Sequence, residues 1–188
     1  MVGLGTPAGQ VAGPAPGDPV TGFIRQPDGT DQRQTMTRRD QYAALNGHGP
    51  MGGQGGPPPL YVSYFTPGSA YETLARQLRQ SLDAHALPYR IEPRPSRGSW
   101  VANTCIKPEF IAEIWSGAQR PVCWIDADAA VLRPPGFLNG CIADFAFVRR
   151  HGWYDISSLV YFGTAPVCGE VLAEWVRLAQ SAPHVWDQ

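Results

Sequence analysis

The sequence lacks any apolar run approaching the ~18 residues that a membrane-spanning helix needs. It also lacks a basic start leading into an apolar stretch, so neither a span nor a signal peptide is expected. There is no excess of either charge: 15 Lys and Arg stand against 16 Asp and Glu, for a net charge of −1. A basic field that would draw nucleic acid or an anionic membrane surface is therefore missing, and function has to reside in a local site. Cysteine is scarce. Cys105, Cys123, Cys141 and Cys168 form no Cys-x-x-Cys pair, which argues against a zinc ribbon, and nothing points to a secreted disulfide framework. The expected setting is cytoplasmic.

Aromatic residues are nearly missing from the first third. Residues 1–60 hold 13 of the 21 glycines and 9 of the 19 prolines, but of aromatics only Phe23 and Tyr42, while all six tryptophans come later. Such a composition buries too little apolar surface to offset its backbone entropy, so residues 1–59 are expected to form a disordered arm. Within it Thr37 can cap a short helix reaching Leu45. The run Gly47–Pro59 reads as a linker.

From Leu60 the pattern is that of a folded domain extending to Gln188. Leu60–Phe65 is a strand-like run closed by the turn residues Thr66, Pro67 and Gly68. Ser69 can cap a helix whose apolar face is Tyr71, Leu74, Ala75, Leu78 and Leu82. Tyr89–Glu92 is a second strand. Pro108 suits the first turn of a helix with the stripe Phe110, Ile111, Ile114 and Trp115, which Gly117 can end. Pro121–Ile125 is nearly all apolar, as in strands covered on both faces. Asp144–Val148 and Leu159–Phe162 read as further strands, and Val167–Ala179 as a last helix. This alternation predicts an α/β fold with a mostly parallel sheet flanked by helices. Ligands of such sheets sit beyond the carboxyl ends of the strands, here Thr66 to Tyr71 and Asp126 to Asp128.

Asp126 and Asp128 follow the apolar strand with only Ala127 between them, and no Lys or Arg adjoins them along the chain before Arg133. Carboxylates in an apolar run are costly to desolvate without a partner. A hard divalent cation, Mn²⁺ or Mg²⁺, would supply one and would keep positions for phosphate oxygens. The plainer alternative is a pair of caps bonding local backbone N–H groups at the turn.

The segment Trp124-Ile-Asp-Ala-Asp-Ala-Ala-Val131 resembles the Asp-x-Asp segment of GT-A-fold glycosyltransferases, in the nucleotide-diphospho-sugar transferase-like group. Other pieces of that resemblance occur in order. They are Tyr61–Tyr71, Gly98–Asn103 with Lys107-Pro108, Ser157–Thr164, and Trp186-Asp187-Gln188. The resemblance implies a GT-A, Rossmann-like domain over residues 60–188. It also implies metal-dependent transfer of a sugar from a nucleotide-diphosphate donor to the hydroxyl of an acceptor, whether glycan, protein or small molecule. Asp128 would ligate the metal directly, and Asp126 would bind the donor ribose or sugar, or the metal through water. Thr66, Tyr71, Trp100, Asn103, Lys107 and Ser158 would line the donor site, and Asp187 and Gln188 would contact the sugar or acceptor as catalytic residues.

Plainer readings stand beside these. Tyr71 and Trp100 also suit core packing, Lys107 suits a solvated surface, and Asp187 and Gln188 suit a frayed end. His151 and His184 are candidate acid–base groups or ordinary surface residues. The family continues past its Asp-Gln pair, so the chain is expected to be truncated and to lack a later histidine ligand. A non-catalytic nucleotide-sugar-binding module is therefore an alternative. A metal-dependent nucleotidyltransferase is a third, although Thr66–Ala70 lacks the basic residues its phosphate loop would use.

Overall fold

A computed structural model of the chain describes residues 19–25, 31–37, 56–149 and 155–185. The domain is a five-stranded sheet between two layers of helix and loop. Its strands are β3 (Leu60–Phe65), β4 (Tyr89–Pro93), β5 (Val122–Ile125), β6 (Phe145–Arg149) and β7 (Asp155–Phe162), in the order β4-β3-β5-β7-β6. Its helices are α1 (Ala70–Asp83), α2 (Trp100–Thr104), α3 (Ile106–Gly117) and α4 (Pro166–Ser181).

Strands β4, β3 and β5 are parallel. Strand β7 runs against both β5 and β6, so four of the five strands point the same way. The expectation of a mostly parallel α/β sheet holds, with β7 as the exception. Strand β7 begins at Asp155 rather than Leu159, because Asp155 and Ile156 already pair with β6.

Period-two alternation divides the sheet's side chains between two cores. On one face Tyr61, Phe65, Cys123, Ile125 and Tyr161 pack with Ala75, Leu78 and Leu82 of α1. On the other, Val62, Val122, Trp124, Val160 and Phe162 pack with Phe110, Ile111 and Ile114 of α3 and Cys168 and Leu172 of α4. Helix α1 is capped by Ser69, whose side chain accepts from the Tyr71 N–H, as its sequence predicts.

Gly163 shows how tightly β7 leaves the sheet. Its N–H donates to the Asp144 carbonyl at 2.7 Å, and an added Cβ would lie 2.8 Å from the Ala143 carbonyl oxygen. Backbone, unlike a side-chain tip, cannot swing aside. Gly163→Ala is therefore expected to lower stability by ~1–3 kcal/mol, read as a drop in the urea midpoint at unchanged slope.

The arm departs from its compositional expectation in two places. Strands β1 (Pro19–Arg25) and β2 (Asp31–Thr37) pair antiparallel as a two-stranded sheet of their own. A ribbon of that kind satisfies its backbone groups locally and needs no core, although alone it is marginally stable. Thr37 is the last residue of β2 rather than a helix cap, and the rest of the candidate helix to Leu45 lies outside the described residues. The end of the supposed linker belongs to the domain: Pro59 is fully buried, and the Pro57 carbonyl accepts from the Gly140 N–H at 3.3 Å. The close backbone approach of Gly56 to Gly140 leaves no room for a Cβ.

Candidate functional site

The carboxyl ends of β3 and β5 open into a cavity of about 220 Å³. Of the residues the sequence singles out, Thr66, Tyr71, Trp100, Asn103, Lys107, Asp126 and Asp128 all line it. Four elements bring them together. The turn after β3 supplies Thr66 and leads into Tyr71. Helices α2 and α3 supply Trp100, Asn103 and Lys107. The turn after β5 supplies Asp126 and Asp128, and the Ala129 N–H closes that turn on the Asp126 carbonyl at 3.0 Å. The small Ala127 is buried between the two acids, against the α1-side core.

The floor is aromatic. Tyr64 and Trp124 share one face of the sheet by strand alternation, with ring centroids 5.3 Å apart, and Phe110 of α3 packs beneath both. The Tyr64 hydroxyl donates to the Asn103 carbonyl at 2.5 Å and ties α2 to β3. At the rim, the Trp100 indole N–H donates to the Tyr71 hydroxyl at 3.1 Å. Trp100 is 50% exposed and Tyr71 36% exposed, so neither is a core residue; both stand over the opening.

Asp126 accepts two bonds on one oxygen, Oδ1. The Trp124 indole N–H donates at 2.7 Å, and the Lys107 ammonium lies 3.3 Å away. No bond to Oδ2 is found among the described residues. The Asp126 backbone N–H donates to the Ser158 carbonyl, anchoring the turn on β7. Burial pushes the Asp126 carboxyl above its usual range. The Lys107 charge and the Trp124 and Lys107 hydrogen bonds oppose that push, while the Asp128 charge adds to it. Asp128 itself is exposed at the mouth.

Lys107 lines the cavity, and it is not the solvated lysine of the plainer reading. It is 5% exposed. Its ammonium donates to Ser157 Oγ at 3.0 Å and to the Ser157 carbonyl at 3.4 Å, and lies 5.3 Å from the centre of the Trp124 ring. The sequence shows no cation near Asp126 along the chain, yet the fold brings one to it. Neither Ser158 nor Ser157 is among the lining residues: Ser158 holds the acid turn through its carbonyl, and it is Ser157, one position earlier, whose hydroxyl accepts from Lys107. Strict alternation with Val160 and Phe162 would put Ser158 on the α3 face; the register shift between the Phe147–Val160 and Val148–Ile156 pairs breaks that alternation at Ser157.

Asn103 lines the cavity, but its side-chain amide is spent on the preceding loop. Its Oδ1 accepts from the Arg97 N–H at 2.6 Å and from Ser96 Oγ at 3.3 Å. That loop turns at Gly98, whose φ of 93° falls where only glycine sits without strain, and it delivers Ser99 to cap α2. Asn103 therefore shapes the approach to Trp100. Tyr64 and Trp124 are lining residues that pattern reading leaves as core. His184 is exposed and is not among the lining residues. Asp187, Gln188 and His151 lie outside the described residues.

No family model matches the sequence, and no curated protein does. The structure is similar to that of a glycosyltransferase involved in the glycosylation of the major capsid of PBCV-1, with a TM-score of 0.53 over 70% of this chain and 72% of that one, at 12% identity. The fold is like that of this glycosyltransferase. At this identity the likeness concerns architecture alone; the residues of the cavity have to speak for the chemistry.

The described residues hold no group of three or more His, Cys, Asp or Glu side chains able to cage a metal. Two carboxylates on one cavity, one of them with an oxygen unengaged, are nonetheless the kind of donor set with which Mg²⁺ or Mn²⁺ is bound in company with substrate phosphates. Among the described residues no helix is long and apolar enough to cross a membrane.

Proposed function

We propose that the chain binds a nucleotide-diphosphate sugar in the cavity at the ends of β3 and β5 and transfers the sugar to an acceptor hydroxyl, with a divalent ion at Asp128 and Asp126. One observation carries this reading. The two acids, the chain's buried lysine and the exposed Tyr71–Trp100 pair converge on one cavity, at the strand ends where α/β sheets take their ligands. At 220 Å³ the cavity is smaller than the ~300–1,000 Å³ typical of small-molecule pockets, so part of the donor lies outside it.

In this reading the aromatic rim offers flat apolar surface to the base, and Asp126 and Asp128 hold the diphosphate end through the metal. A bound Mn²⁺ or Mg²⁺ supplies Lewis-acid stabilisation of the departing diphosphate. The chain's own part is to fix the two carboxylates on a short turn whose backbone is tied to β7. It also keeps the floor dry with Tyr64, Phe110 and Trp124, which strengthens charge interactions there.

Calorimetric titration with uridine and guanosine diphosphate sugars, with Mn²⁺ and with a chelator, tests the proposal. Binding is expected with the ion and not with the chelator. If no nucleotide sugar binds under either condition, the proposal fails. Release of free sugar in the same samples marks an enzyme, and binding without release marks a non-catalytic module.

A further inference from the structure

Lys107 is the single lysine of the chain. It sits in the first turn of α3, where a cation opposes the positive end of the helix dipole, so its place there has to be sustained by tertiary contacts. A lysine that grasps a ligand is usually a hydrated point charge on a flexible stem. This one is buried, and its ammonium faces three oxygens of the protein: Ser157 Oγ, the Ser157 carbonyl and Asp126 Oδ1. An ammonium carries three N–H donors, and three acceptors stand within reach of it among the described residues. The Trp124 ring lies beside it, and the same indole donates to the same carboxylate oxygen. Asp126 is thereby held from two sides on Oδ1.

We infer that Lys107 is a positioning residue rather than a donor ligand: fixed by Ser157, it is the internal counter-ion of Asp126, leaving Asp128, which has no cation partner among the described residues, as the carboxylate that faces a metal and diphosphate. The metal half of this inference rests on the proposed function; the counter-ion half stands on the ligand-free geometry. With Lys107 in place, the lysine and the two acids sum to one negative charge. Without it they sum to two, and a bare divalent ion meets a stronger attraction.

Two measurements on the full chain decide it. In ¹⁵N-lysine-labelled protein without ligand, one side-chain ammonium signal is expected, protected from solvent exchange, and Ser157→Ala is expected to speed that exchange. A signal exchanging as fast as a solvated lysine, or one indifferent to Ser157→Ala, overturns the inference. Separately, Lys107→Met is expected to bind Mn²⁺ alone about fivefold more tightly than the wild type at pH 8, from the loss of a nearby positive charge. Unchanged or weaker Mn²⁺ binding overturns it, and a merely structural lesion would not tighten binding. Should Lys107→Met fail to fold, the exchange measurement still decides. Should the wild type bind no Mn²⁺, the proposed function fails, while the ammonium signal tests the counter-ion on its own.

Discussion

Asp128→Asn is expected to weaken Mn²⁺-dependent binding of a nucleotide sugar by ~100-fold or more while the fold stays intact. The substitution keeps the shape of the side chain and removes its charge. Asp128 is exposed on a turn, and changes at such positions usually cost within ~0.5 kcal/mol of stability. Its carboxylate is also the one that Lys107 does not compensate, so it carries the attraction for a divalent ion. Replacing partners one layer out from a metal ligand typically costs 10–100-fold in affinity or activity, and a ligand itself stands at or beyond the upper end, ~100-fold. Calorimetry with Mn²⁺ and a nucleotide sugar reads the affinity, and a thermal melt reads the fold. Unchanged affinity in a variant that melts like the wild type would remove Asp128 from the site. Collapse of the melt would instead make the turn structural and favour the reading of the two acids as local caps.

Phe110→Ala is expected to cost ~3–5 kcal/mol of stability. Phe110 is 1% exposed on α3. Its ring meets Tyr64 edge-on at 5.5 Å and Trp124 at 6.1 Å, and the Arg94 guanidinium lies 4.7 Å from its centre. Removing it opens a void that these neighbours are too constrained to fill. Tyr64 is held by its bond to Asn103, Trp124 by Asp126, and Arg94 by Glu113 at 2.8 Å. Because Trp124 orients Asp126, the same void is expected to weaken metal-dependent binding as well as stability. Urea unfolding with fluorescence detection measures the first effect. A loss below ~1.5 kcal/mol would mean that α3 is not docked on the sheet through this ring.

The predicted strands and helices of residues 60–181 recur in the structure because their signals are local. Strand β5 is read from four consecutive apolar residues. Helix α1 is read from a cap at Ser69 and from Ala75, Leu78 and Leu82 one turn apart. Helix α2 escapes such a reading, since five residues are too few to show a period and its cap at Ser99 has no apolar stripe to announce. The β1–β2 hairpin escapes for the opposite reason: composition predicts whether a stretch can bury a core, and a hairpin pairing only with itself needs none. Pro59 reads as linker from its neighbours in sequence, but its neighbours in space bury it.

The candidate site divides along the same line. That two acids end an apolar strand, that an aromatic and a threonine follow the first strand, and that a lone lysine opens a helix are facts of sequence, legible because each depends on residues within a turn of one another. That Lys107 meets Asp126, that Ser157 rather than Ser158 completes the contact, and that Trp100 leans across to Tyr71 depend on distance in space. Antiparallel β7 carries its opening residues to the mouth of β5, and α3 lays its first turn against the same edge. Charge compensation between groups far apart along a chain is decided by how sheet and helices stack. Linear spacing therefore gives the ingredients of this cavity, and folding sets which charge is already answered and which remains open to a ligand.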